Sequence, residues 1–248
     1  MAEKYIEKIH FLKGQAGPLY IIADTEAITL IDVGFPSDVK RITGYLKEKL
    51  DRDIGQVKLV IVTHSHFDHI SGVDYLLKTV QASVAAPVDA RQYLTGRKAI
   101  PVTSLSSYMG FLIFLLKNGF PRPSLPDVFK MPWAGIPGLR RGIKSAVQVW
   151  LEDGKPIPGL PGWEVFFTPG HTPDGICLYH PREKILFSGD TIINDKGTLR
   201  LNRLLVWDKT LLLNSFRKLD QLRVDHLFPG WGPPVTGDDV LKDIQLVV

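Results

Sequence analysis

Apolar positions along the chain follow two periods, and stretches of one alternate with stretches of the other. Residues 5–11, 18–23 and 27–33 read as strands, with Asp24, Thr25 and Glu26 forming a hairpin turn. Over 37–50 the period becomes helical: Val39, Ile42, Leu46 and Leu50 fall on one face, and Ser37 stands where a helix cap is needed. Residues 57–62 form an apolar strand run, followed by a helix over 70–79, a strand near 82–86 and a helix that Pro87 opens at its first turn. After a long interruption the pattern resumes. Strands are predicted near 147–150, 163–168, 175–180 and 184–188, then helices near 209–221 and 237–246 with a strand at 223–228 between them. Two comparable halves of this kind predict two sheets packed face to face with helices outside, a layered α/β sandwich.

A chain of 248 residues with 44% hydrophobic content can bury a full core. No Ser/Gly/Gln-rich linker divides it, so a single domain over 1–248 is expected, with a lid or insertion at about 100–146. That stretch contains an apolar run at 107–116 and then Pro121, Pro123, Pro126, Pro132 and Pro137. The run is far shorter than the ~20 residues a membrane-spanning helix needs, so no transmembrane segment is expected. A core helix, a lid over the site and a homo-oligomer contact all remain open for it.

Charge narrows the partners. The 30 Lys plus Arg against 26 Asp plus Glu leave +4, dispersed and without a basic run interleaved with aromatics. Nucleic acid is therefore not expected, and a small-molecule substrate is. Cys177 is the single cysteine, which excludes an intrachain disulfide, and its apolar surroundings read as those of a buried structural thiol. The first residues alternate charged and apolar positions without the apolar core of a signal peptide, so the cytoplasm is the expected location.

The densest chemistry is T-H-S-H-F-D-H at 63–69, which places His64, His66, Asp68 and His69 directly after a strand. Three of the chain's seven histidines lie there. Neutral imidazoles with a carboxylate form the ligand mix that suits zinc, and iron or manganese less selectively. Two further strand exits carry similar groups: His171 in T-P-G-H-T-P-D-G at 168–175, and Asp190 in F-S-G-D-T at 187–191. Exits of this kind can converge at one edge of a sandwich.

The order L-I-D-V-G, T-H-S-H-F-D-H, T-P-G-H-T, S-G-D-T and L-F-P-G-W-G-P resembles the metallo-β-lactamase-fold hydrolase superfamily, which includes glyoxalase II-type thioesterases and lactonases. The resemblance covers nearly the whole chain and implies a four-layer αββα sandwich with a metal centre at one sheet edge. It implies that His64, His66 and His171 hold a first metal, that Asp68 and His69 face a second, that Asp190 bridges, and that Asp32 orients the ligands from behind.

One position departs from the family pattern. Members with two metals complete the second site with a histidine in a P-G-H-G-like turn, where this chain has Trp231. Indole nitrogen donates only and cannot ligate. His226 lies five residues upstream in a strand, where it is a poor substitute. The expectation is therefore one tightly held Zn2+, a second metal weak or absent, and a Trp231 that walls the substrate pocket. The favoured activity is hydrolysis of a small ester, thioester or lactone, with Asp68 as the catalytic proton carrier. Two alternatives stand beside it: a persulfide-type sulfur dioxygenase with mononuclear Fe2+ held by two histidines and Asp190, and a non-catalytic metal-binding module with a degenerate second site.

Overall fold

Alternation of side chains along the strands decides the layering, because successive residues face opposite sides of a sheet. The computed structural model describes residues 5–101, 103, 109, 113, 142–143 and 145–244. One six-stranded sheet runs in the order β1 (Ile9–Lys13), β2 (Pro18–Ala23), β3 (Ile28–Ile31), β4 (Val57–Ile61), β5 (Ser83–Pro87) and β6 (Val149–Leu151). The second runs β14 (Val235–Thr236), β13 (His226–Phe228), β10 (Ile185–Phe187), β9 (Ile176–His180), β8 (Leu160–Phe167) and β7 (Pro156–Ile157). A separate hairpin pairs β11 (Ile192–Asp195) with β12 (Thr198–Leu201).

Between the sheets, Tyr20, Ile22, Ile31 and Ile61 meet Trp163, Val165, Leu178 and Phe187. The outward residues of the first sheet, among them Ile21, Leu30, Val60 and Val84, pack on Val39, Ile42 and Leu46 of α1 (Pro36–Leu50) and on Val73 and Leu76 of α3 (Val73–Leu76). The second sheet is covered outside by Leu212, Phe216 and Leu219 of the helix Lys209–Leu219. The result is the four-layer αββα sandwich.

Several predicted boundaries move. Tyr5–Lys8 is a 3-10 turn and not part of a strand, because Tyr5 leaves the ladder to accept a hydrogen bond from Trp163 Nε1 at 2.9 Å. Ser37 does not cap α1. Phe35 is the N-cap with Pro36 at the first helical position, and Asp38 accepts the Phe35 N–H at 2.9 Å. The helix expected over 70–79 is two short pieces, α2 (Phe67–Ile70) and α3, separated at Gly72. There the chain passes so close to the backbone of Val33 and Phe35 that a Cβ would meet the Phe35 carbonyl at 2.9 Å. The strand expected at 147–150 belongs to the first sheet, parallel to β5, and not to the second half. The helix expected over 237–246 is a single 3-10 turn, Val240–Asp243. Pro87 ends β5, and a 3-10 turn Val88–Ala90 and the short helix α4 (Arg91–Leu94) follow it. Most of the expected lid, 100–146, lies outside the described residues. Within 107–116 only Met109 and Ile113 are described, both exposed.

No helix among the described residues is long and apolar enough to cross a membrane. Strands β3 and β4 run parallel, as do β10 and β13, and β8 shares the direction of β10 through the antiparallel β9 between them. The loops leaving these strands carry the candidate site.

Candidate metal centre

These candidate residues sit one to five positions past a strand end. Asp32 follows β3, His64 and His66 follow β4, His171 follows β8, and Asp190 and Trp231 follow β10 and β13. His66 is the N-cap of α2, so Asp68 and His69 occupy its first turn. Two loops are tied directly, the Ile176 N–H donating to Thr63 O at 3.0 Å.

The structure brings His64, His66 and His171 together, with one ring nitrogen from each inside a 4.8 Å span, all three buried. His66 Nδ1 and His171 Nε2 lie 3.0 Å apart. A second overlapping group joins His64, His69 and Asp190. Asp68 belongs to neither group among the described residues; its Oδ2 lies 3.9 Å from His69 Nε2. His226 is remote from the cluster and pairs with Thr236 Oγ1 at 3.0 Å.

The supporting contacts set the direction of each ring. Asp32 has φ +58°, a left-handed conformation that aspartate tolerates better than most residues. This turn aims its carboxylate at His69 Nδ1, 2.8 Å away, while its two oxygens also accept from the Thr63 N–H and hydroxyl at 2.8 and 2.7 Å. His171 Nδ1 lies 3.1 Å from Leu204 O, leaving Nε2 to face the cluster.

Trp231 is only 2% exposed, and its indole N–H donates to Asp190 Oδ2 at 2.9 Å. It therefore acts on the site through the carboxylate and offers a substrate almost no surface. Gly230 is required beside it, since a Cβ there would collide with the Gly189 carbonyl and the Asp190 carboxylate.

Burial and charge split the histidines into two kinds. Burial holds His64 and His66 well below the usual imidazole range, helped by neighbouring histidines, and it drives His171 down to about 3. Burial also opposes a charge on His69, yet the carboxylates of Asp32, Asp190 and Asp68 outweigh it and raise that ring to about 10. Burial pushes Asp190 up to about 7 against the pull of His69. Cys177 is a buried thiol raised to about 11 by burial, consistent with a structural role.

The residues fit a divalent metal. His64 Nε2 and Asp190 Oδ1 are buried without a hydrogen-bond partner, an arrangement that costs stability unless something else satisfies them. Three neutral imidazoles and a carboxylate are what such an ion needs.

The residue that sequence reading passed over is Asp174. Its Oδ2 accepts from both the N–H and the hydroxyl of Ser65, the residue between His64 and His66, so it clamps that loop to the one carrying His171. Its signal in the sequence was an aspartate three residues after His171 in the same Pro/Gly turn. Asn202, 3.4 Å from His171 Nδ1, had no such local signal.

Comparison with known proteins gives the family and the fold. The sequence profile of the metallo-beta-lactamase superfamily matches residues 13–231, most of the chain. The chain belongs to that superfamily. The probable metallo-hydrolase YflN of Bacillus subtilis is 28% identical over 251 residues, covering 95% of this chain and 88% of that protein. The acyl-coenzyme A thioesterase MBLAC2 of Bos taurus is 27% identical over 197 residues, covering 76% of this chain and 62% of that protein. Among solved structures, the BLEG-1 B3 metallo-beta-lactamase superposes with a TM-score of 0.64 at 22% identity, over 92% of this chain and 93% of that one, which shows a shared fold. The chain is thus a metallo-hydrolase by family.

Proposed function

We propose that the chain hydrolyses a small thioester, ester or lactone at one tightly held zinc ion, with His64, His66 and His171 as its ligands. The observation that carries this reading is the convergence of one nitrogen from each of those three buried rings within 4.8 Å. When bound, such an ion lowers the pKa of water toward neutrality and polarises a carbonyl. The chain's own groups do the rest. Asp68, outside both ligand groups and with its side chain only 7% exposed, moves the proton between water and leaving group. Asp32 orients the His69 ring through Nδ1, 2.8 Å away, and Asp190 brings Oδ2 to 3.3 Å from His171 Nε2. The thioesterase among the relatives supports placing a thioester first.

The iron dioxygenase alternative is less well supported, since two histidines and Asp190 leave one of the three converging rings without a use. Elemental analysis of protein purified without added metal, followed by a panel of acyl thioesters, esters and lactones, tests the proposal. Zinc with hydrolysis is expected; iron with oxygen consumption, or no turnover of any of them, would overturn it.

A second position at His69 and Asp190 is weak on this reading, because Trp231 supplies a donor where a ligand is needed. Trp231→His should therefore raise the metal count toward two per chain. The idea fails if the wild-type protein already holds two tight metals, or if a normally folded variant binds no more than its parent.

Protonation gives a further expectation. The first three imidazoles are already neutral at ordinary pH, so protons do not compete for that position. His69 keeps its proton until about 10 and Asp190 until about 7, so a cation there must displace protons and gains as pH rises. In excess zinc, stoichiometry should stay near one per chain at pH 6 and climb at pH 9. Equal stoichiometry at both would contradict the assignment.

A further inference from the structure

A cleft of about 280 Å³ opens beside the Trp231 turn, and its lining shares no residue with the histidine cluster. Phe11, Pro18 and Pro233 give it apolar walls, and Phe11 is among the few large apolar side chains that stand exposed, at 36%. Lys13 and Lys196 supply positive charge, and the lining contains no carboxylate. The one side-chain amide, Asn194, is already spent: its Nδ2 donates to Pro233 O at 2.9 Å and its Oδ1 accepts the Gly197 N–H at 2.8 Å. What the cleft offers a visitor is therefore apolar surface with the Lys196 ammonium at its edge.

Charge near Lys196 is not cancelled by its neighbour, because Asp195 faces Arg200 at 3.4 Å. The walls are also held firmly. The Asn194 N–H donates to Trp231 O at 2.8 Å, and Gly232, at φ +84°, packs so tightly on the Asn194 carbonyl that a Cβ would not fit. The β11–β12 hairpin and the Trp231 turn thus form one surface, already shaped before any ligand arrives. A preformed concavity of this size, mostly apolar with a few charged groups, suits a small ligand.

We propose that this cleft binds a small amphipathic carboxylate, its ring or short chain lying on Phe11, Pro18 and Pro233 and its anionic end at Lys196. The proposal stands on the lining alone, so it survives or fails independently of the hydrolase reading.

Titration of the protein as purified with 4-phenylbutyrate, its neutral analogue 4-phenylbutyramide, and acetate, followed by amide NMR, tests it. Phenylbutyrate should shift the amides of Lys196, Gly197 and Gly232 and bind about fivefold more tightly than the amide, the scale set by exposed charge pairs. The preference should shrink at high salt and in Lys196→Gln. Acetate, lacking the apolar body, should bind more weakly than phenylbutyrate, and Phe11→Ser should erase that difference. Lys196 and Phe11 are both exposed, so neither variant threatens the fold. Equal binding of acid and amide, equal binding of acetate and phenylbutyrate, unchanged preference in Lys196→Gln, or no shift at those three amides would each overturn the proposal.

Discussion

Replacing His64 or His171 with alanine is expected to remove most of the bound metal and to lower hydrolysis at least ~100-fold. Each contributes one of three converging nitrogens, so either loss leaves that group a ligand short. His64 Nε2 is buried with no protein partner, so its only visible use is toward an ion. His171 is held from behind by the Leu204 carbonyl, so its loss removes a ring whose orientation is already set. Metal content by elemental analysis, measured beside steady-state rates and a circular dichroism check of folding, decides it. If both variants kept full metal and full rate, the site would have been placed on the wrong residues.

Asp68→Asn should behave differently, losing rate far more than metal. Proton transfer by a positioned carboxylate is worth roughly 100-fold to 10,000-fold, and asparagine keeps the shape while removing the basic oxygen. Asp68 is close enough to His69, 3.9 Å, to share the site, yet it lies outside both candidate ligand groups. Zinc titrations of the variant should therefore resemble the parent while kcat collapses. A variant that kept its rate but lost its metal would show that Asp68 is a ligand and not a proton carrier.

Both experiments concern residues visible in the sequence, and the reason is local. T-H-S-H-F-D-H follows an apolar run directly, and a strand that ends abruptly delivers several side chains to one place. T-P-G-H-T-P-D-G and F-S-G-D-T carry the same arrangement of strand, tight turn and ligand-type residue. The apolar runs likewise gave the layers, since β2, β3 and β4 are buried between a helix layer and the second sheet, and α1 buries Val39, Ile42 and Leu46 on the face its spacing predicts. Errors collected where local signals compete. Residues 5–8 run directly into a strand, but Tyr5 is drawn to Trp163, a partner 158 residues away. The helix predicted over 70–79 breaks at Gly72 because the neighbouring backbone needs the space of a side chain. The β11–β12 hairpin was not foreseen.

By itself, then, the sequence determined the fold class and the family, and it offered candidate metal ligands of which Asp68 falls outside both groups that the structure brings together, because these readings depend on spacing within short segments. It also marked Trp231 as the departure from the family pattern. Only the tertiary structure decided which atoms meet. His66 and His171 are 105 residues apart, Ser65 and Asp174 are 109 apart, and Asp190 and Trp231 are 41 apart. No local periodicity encodes those distances. They follow from how two sheets stack and which strand ends share an edge, and that packing turns a tryptophan that cannot ligate into a hydrogen-bond donor to Asp190.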